Sequence, residues 1–217
     1  MRTYRQYCSM ARSLDVIGDR WTLLIVRELL TQGPSRYTDL KRGLPGIATN
    51  LLADRLREME LAGLVVRRQA PPPVATALFD LTDRGRDLQG VVRELVRWGG
   101  PLMMAPSGSD SFRAHWLVIP LRHLCRDNAP ERAPETVRIG TLEDGVDVAA
   151  DAGDVTVSTA DPSTVPSAVV EGPPELLVGL FTGGLPLDAA QIGGLVLSGN
   201  MDALRRVMPK TTTEGTP

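Results

Sequence analysis

The sequence predicts an α+β chain made of two unlike halves. Three observations carry this expectation. The first hundred residues alternate short helical patterns with one β-rich hairpin. Residues 136–161 repeat an apolar alternation broken by Asp-Gly and Ala-Gly turns. The charge also changes sign between the halves: residues 1–100 hold 16 Lys+Arg against 11 Asp+Glu, and residues 101–217 hold 8 against 15, in a 217-residue chain of net charge −2. A basic half suits a polyanion, which would repel an acidic half. The Gly-, Pro- and Ser-rich stretch WGGPLMMAPSGSDS (Trp98–Ser111) places the boundary between them. The expected division is a first domain over 1–100, a linker over 101–110, a second domain over 111–209 and a flexible tail over 210–217.

In the first half, Met10, Leu14 and Ile17 recur at helical spacing and stop at Gly18. Trp21, Leu24, Ile25 and Leu29 do the same and stop at QGP. Ser35 is placed to cap a short third helix through Tyr37 and Leu40, ending at RGLPG, and a fourth helix runs from Ile47 to Ala62 before Gly63. The period then changes. LVVRRQ (Leu64–Gln69) and TALFDL (Thr76–Leu81) read as strands around APPPVA, a hairpin tip whose prolines cannot extend a ladder, and a last helix is expected from Thr82 to Trp98.

Four helices, a hairpin and a helix is the order of a winged helix-turn-helix. A helix fits the DNA major groove, and a hairpin lies along the neighbouring backbone or minor groove. On the fourth helix Leu52, Leu56 and Met59 share a core-facing stripe, leaving Asn50, Ala53, Asp54 and Arg57 opposite. Asn pairs bidentately with adenine and Asp accepts from cytosine N4, whereas Arg57, a turn further on, suits a phosphate. Leu61 shares that outer face without a reason in the sequence. Arg67 and Arg68 are adjacent in a strand and so point to opposite faces; one of the two is expected to reach DNA.

The spacing of Cys8, LDVIGDRW (Leu14–Trp21), LLIVRELL (Leu23–Leu30), RYTDLKRGLPGI (Arg36–Ile47), LLADRLREMELAGLV (Leu51–Val65) and LTDRGRDL (Leu81–Leu88) resembles the HxlR family of bacterial winged-helix transcriptional regulators, over roughly residues 6–100. The resemblance implies that the helix from Ile47 reads bases and that Arg36 opens the supporting helix near the backbone. It also implies a homodimer formed through the N-terminal segment and the helix Thr82–Trp98, bound to a double-stranded operator. The candidate contact set is Arg36, Thr38, Thr49, Asn50, Ala53, Asp54 and Arg57 with Arg67 or Arg68. Two departures stand out. Ala48 occupies the family's capping-Ser position, leaving the cap to Thr49 or to nothing, and the family's Arg near Thr76 is missing. Cys8 occupies the place of a cysteine that some members use to sense oxidants or electrophiles, and nearby Arg5 and Arg12 favour a thiolate; a packing thiol is the alternative.

In the second half, a helix carrying Trp116, Leu117, Ile119, Leu121 and Leu124 precedes three strands, TVRIGTL, GVDVAAD and DVTVSTAD, expected to form an antiparallel sheet covered by helices. Helical segments are expected at Pro162–Val170 and Pro174–Thr182, then a strand at Gly193–Gly199 and a closing helix in NMDALRRVM. Asp161-Pro, the Gly-rich turns and a strand ending in Gly-Asn before a terminal helix resemble the lipid-binding domain of sterol carrier protein type 2 over residues 111–209. That resemblance implies an apolar tunnel for a hydrophobic effector, with Trp116, Leu117, Val165, Val169, Leu177, Leu180 and Phe181 as candidate lining; a packed core would have the same composition.

His115, His123 and Cys125 are spaced H-x7-H-x-C, which matches no metal-ligand pattern, and no phosphate loop or catalytic carboxylate pair accompanies them. The chain is expected to be no enzyme and to need no metal or cofactor. It has no apolar run of eighteen residues and no signal-peptide core, and two cysteines fit a reducing compartment, so a cytoplasmic protein without a membrane partner is expected. The competing function is a hydrophobic-ligand carrier or interaction protein whose winged helix serves only as a dimerisation scaffold.

Overall fold

The computed structural model describes residues 3–70, 76–104 and 110–209; residues 71–75 of the predicted wing tip, half of the predicted linker and the predicted tail lie outside the described residues. The chain divides into two compact units, residues 1–95 and 96–217.

In the first unit, α1 (Ser9–Ile17) starts from Cys8, whose extended backbone forms the N-cap with no side-chain hydrogen bond. Helix α2 (Thr22–Gln32) buries Ile25, Val26 and Leu29 and ends at Gly33, where φ is 70°. Ser35 does not cap the third helix. Ser35 and Arg36 form a short strand, β1, paired with Phe79 and Leu78 of the wing, and the Ser35 hydroxyl donates to the Gly33 carbonyl. Arg36 is thereby the residue at the N-cap of α3 (Tyr37–Gly43). Helix α4 (Thr49–Leu61) buries the expected stripe Leu52, Leu56 and Met59, and Ala48 stands at its N-cap with no side-chain bond, so of the two capping alternatives the structure has the second. Strands β2 (Val65–Gln69) and β3 (Ala77–Leu81) form the wing, in a sheet ordered β1-β3-β2 with Arg67 opposite Phe79 and Arg68 opposite Leu78.

The helix expected over Thr82–Trp98 is two helices, α5 (Asp83–Arg86) and α6 (Gln89–Gly99). The Thr82 hydroxyl accepts from Gly85 N–H and donates to the Gly63 carbonyl at 2.6 Å, tying the first turn to the base of the wing. Gly85 packs so tightly there that a Cβ would lie 2.1 Å from the Leu64 carbonyl oxygen.

The second unit contains 3₁₀ turns at Gly100–Met104 and Ala114–Leu117, followed by α7 (Val118–Leu124) and strands β4 (Glu135–Gly140), β5 (Gly145–Asp151) and β6 (Asp154–Thr159). The segment expected as a helix over Pro162–Val170 instead ends in a strand, β7 (Ala168–Glu171), and α8 (Pro174–Phe181), α9 (Leu187–Ile192), β8 (Val196–Gly199) and α10 (Met201–Val207) complete the unit. The sheet is mixed rather than antiparallel: its order is β6-β5-β4-β7-β8, and β7 runs parallel to β4 with Val137 opposite Ala168 and Ile139 opposite Val170. Proline at 162 and 166 prevents a continuous helix there, and the β-branched Val169 and Val170 take up the ladder instead. A parallel pairing requires the chain to cross the sheet, here through residues 160–167.

That crossover explains a buried ion pair. Arg138, on the sheet face away from Val137 and Ile139, donates to both Asp147 carboxylate oxygens at 2.7 and 2.8 Å and to the carbonyls of Leu142, Asp161 and Thr164. The crossover covers the pair, leaving its side chains 2% and 7% exposed. A second such pair closes the unit. Arg206 of α10 donates to both Asp127 oxygens at 2.8 and 3.0 Å, and Asn128 beside it donates to the last carbonyls of α10.

The hydrogen bonds from Arg206 hold the Asp127 carboxyl far below the usual carboxylate range. The unfolded chain therefore takes up a proton at 127 near the ordinary aspartate pKa of about 3.9, while the folded one does not. The resulting stability is fully present above about pH 4 and declines as pH falls below it. Acid unfolding of Asp127→Asn, followed by circular dichroism, should lose part of that decline; an unchanged slope would remove Asp127 from the account.

Candidate nucleic-acid interface

Helices α3 and α4 and the wing enclose a groove of about 530 Å³ lined by Arg36, Tyr37, Thr38, Ala53, Leu56, Arg57, Glu60, Arg67, Thr76, Ala77 and Phe79. Each wall has a local cause. Arg36 and Thr38 are exposed at the start of α3, where pairing of β1 with β3 fixes the backbone against the wing. Ala53, Arg57 and Glu60 form the stripe of α4 beside the buried one, at i, i+4 and i+7. Arg67 lies over its cross-strand partner, its guanidinium carbon 6.0 Å from the centre of the Phe79 ring. Three guanidinium groups against the single carboxylate of Glu60 make the lining cationic.

The structure brings Arg36, Thr38, Ala53, Arg57 and Arg67 together. It places Thr49, Asn50 and Asp54 outside the groove, on the exposed N-terminal half of α4. Asn50 accepts from Leu51 N–H at 3.0 Å, and Asp54 pairs with Arg57 at 3.1 Å, so a base or phosphate contact by either must compete with a local bond. Arg68 faces away: its nearest carboxylate is buried Asp80 at 3.8 Å, which Arg86 holds at 2.7 Å. Between the two adjacent arginines, only Arg67 reaches the groove. Leu61 is 83% exposed, and nothing in the structure explains it.

Sequence reasoning missed the residues that hold the reading helix in place. The Tyr37 hydroxyl donates to the Thr49 carbonyl at 2.5 Å, and the Lys41 ammonium donates to the Ile47 carbonyl. Both come from α3 and fix the entry of α4, where Ala48 offers no cap. The Arg-aromatic dipeptide was visible in the sequence, but its aromatic half carried no signal of which carbonyl it would meet.

Cys8 is exposed at the N-cap of α1. Cys125 is the opposite case: burial pushes its thiol up to about 12, so it is packing. Among the described residues no group of three His, Cys, Asp or Glu side chains could hold a metal ion, and no helix is long and apolar enough to cross a membrane.

The residues assigned to a tunnel in the second unit do not converge. Leu117, Leu177, Leu180 and Phe181 are buried within the packed core beside Val137, Val148 and Leu204. Val165 is 92% exposed in the crossover, and Val169 lies on the opposite sheet face from its buried neighbours Ala168 and Val170. Trp116 is half-buried and packs edge-on against Phe112. Composition could not separate core from tunnel lining because both are apolar.

A supporting helix, a presented helix and a two-stranded wing flanking a cationic groove define a winged helix-turn-helix protein. The model of the HxlR-like helix-turn-helix family matches residues 16–106. The transcriptional regulator YkvN of Bacillus subtilis, itself uncharacterized, is 38% identical over 96 residues, covering 43% of this chain and 78% of YkvN. The regulator YodB of the same organism is 33% identical over 89 residues, covering 41% of this chain and 79% of YodB. The solved structure of its reduced form aligns over 43% of this chain and 92% of that one with a TM-score of 0.39 and 32% identity. The chain belongs to the HxlR-like helix-turn-helix family, a family of transcriptional regulators rather than enzymes.

Proposed function

We propose that this chain is a dimeric, sequence-specific DNA-binding transcriptional regulator. The arginine-lined groove between α4 and the wing carries the reading: an exposed helix fits the major groove, and Arg36, Arg57 and Arg67 are spaced around it to meet phosphates. Asn50 and Asp54 stand on the presented helix as base-reading residues, with Thr38, Thr49 and Ala53 beside them. Dimerisation is supported by two exposed apolar stripes at helical spacing, Tyr7, Met10 and Leu14 on and before α1, and Val91, Leu95 and Trp98 on α6. A two-fold dimer reads a near-palindrome with half-sites one or two helical turns apart. Footprinting on the DNA upstream of its own gene, at low salt, should reveal such a protected pair. Absence of protection there and on a random duplex library would overturn the reading. The scaffold alternative is not favoured by a cationic groove on the would-be scaffold.

Cys8 is proposed as a redox-responsive residue of this regulator, on its exposure at the tip of α1 beside the Tyr7–Leu14 stripe. Diamide is expected to lower operator affinity of the unmutated protein and to leave Cys8→Ser unaffected; equal behaviour of the two removes Cys8 from the response. For residues 111–209 the proposal is a sterol-carrier-like effector module, supported by the sheet with its flanking helices and by its acidic balance, which keeps it off DNA. Four of the candidate lining residues form core, so a hydrophobic ligand must part them to bind. Mass spectrometry of small molecules retained by the native protein tests this directly, and retention of none reduces the module to a stability or assembly role.

A further inference from the structure

Arg55 lies on α4 between Asp54 and Leu56, yet it belongs neither to the groove nor to the core. Its side chain is 18% exposed, and its guanidinium pairs with Glu58 one turn along the same helix at 2.6 Å and with Asp19 in the turn between α1 and α2. The Glu58 bond holds the long side chain against its own helix, so that Arg55 is presented as a fixed arm rather than a mobile one. Asp19 then meets that arm from outside. Two carboxylates on one guanidinium leave the locus net negative, which opposes any direct contact of Arg55 with a phosphate.

The other end of this connection is α1. Ala11 is the one buried residue of that helix. Its Asp15 accepts from the Thr3 hydroxyl and from Tyr4 N–H, each at 2.8 Å, so the N-terminal arm is folded back onto α1. The chain leaving α1 leads through Ile17 and Gly18 into the turn that holds Asp19, so the arm and the Arg55 contact sit at the two ends of one short helix. Rotation of α4 about its axis moves Asn50, Ala53, Asp54 and Arg57 together relative to any base they face; Tyr37 and Lys41 restrain the entry of the helix, and Arg55 restrains it from the side of the α1–α2 turn.

We propose that Arg55 is a positioning residue for sequence readout: by gripping Asp19, it sets the roll of α4 from the α1–α2 turn without touching DNA. The proposal rests on the DNA-binding reading above. The full-length protein is used to select a duplex from a random-sequence library, and affinities for the selected duplex and a scrambled one are measured at one salt concentration. Asp19→Asn and Arg55→Met should each lower the ratio of the two affinities by about 5- to 50-fold, the range set by loss of one base contact. Affinity for the scrambled duplex should stay within about twofold, since neither residue meets the backbone. Arg55→Lys, which keeps the cation for Asp19 and Glu58, should retain most of the ratio.

Asp19 is an exposed turn residue, and Asp19→Asn keeps its size, so that arm remains informative if Arg55→Met unfolds the domain. A merely structural role would lower thermal stability and both affinities in parallel. That result overturns the proposal, as does an unchanged ratio in Asp19→Asn. Loss of scrambled-duplex affinity in Arg55→Met alone would make Arg55 a phosphate ligand instead. If the unmutated protein selects no duplex, it is the DNA-binding reading that fails, and this inference falls with it.

Discussion

Replacing Arg36 and Arg67 together by alanine is expected to weaken binding to every duplex alike, by on the order of tenfold for each lost contact, and to flatten the salt dependence of log Kobs by about 1.8, or about 0.9 for each phosphate released. Both residues line the groove from opposite walls, one at the start of α3 and one on the wing. Arg68→Ala should have the smaller effect, because its guanidinium leans towards Asp80 rather than the groove. Asn50→Ala and Asp54→Ala should behave differently, lowering preference for the operator over an unrelated duplex. Asp54→Ala also frees Arg57 from its ion pair, which raises non-specific affinity and reduces the preference further. Fluorescence anisotropy over a salt series separates the two classes. Equal losses for all four variants on all sequences would mean that another face meets DNA.

Arg138→Met is expected to destabilise the second unit by about 3–5 kcal/mol, the usual result of removing one partner from a buried ion pair. The substitution strands the Asp147 carboxylate under the crossover and leaves the carbonyls of Leu142, Asp161 and Thr164 without their donor. For a unit of about 100 residues, calorimetry should then record a fall in its unfolding temperature of more than about 10 °C. Adding Asp147→Leu should recover much of the loss, since an apolar pair of similar volume leaves no buried charge. A fall of only a degree or two in Arg138→Met would mean that water reaches the pair in solution.

The legible parts of the sequence were those with a strong local signal. The period of 3.6 over Thr49–Leu61 located α4 and its buried stripe, and the change to period 2 with the Gly63 stop located the wing. What could not be read depends on partners distant in the chain. Strand β1 exists only because Phe79 and Leu78 offer it a ladder, and β7 only because β4 lies free to pair in parallel. The close seat of α5 on the wing, which leaves no room for a Cβ at Gly85 beside the Leu64 carbonyl, is a contact that no propensity encodes. At the candidate interface the residue types were visible, but the choice of Arg67 over Arg68 required the position of Asp80, and the clamps from Tyr37 and Lys41 required the path of the turn before α4.

The pairing of Asp127 with Arg206 has a consequence for how the chain is made. The two residues are 79 positions apart, and at about 5–20 residues per second the ribosome needs about 4–16 s to pass from one to the other. During that interval the winged unit is complete and free to fold, while the second unit lacks α10, which packs on β4, β5 and β7, and Asp127 has no Arg206 to accompany it inside. Ala203, Leu204 and Val207 arrive in the same few residues as Arg206. The last helix thus brings the counter-charge and the apolar lid together, so a nascent chain halted before α10 would carry an exposed sheet face on an otherwise finished DNA-binding unit. Such a chain is the form that proteolytic surveillance and chaperones would meet.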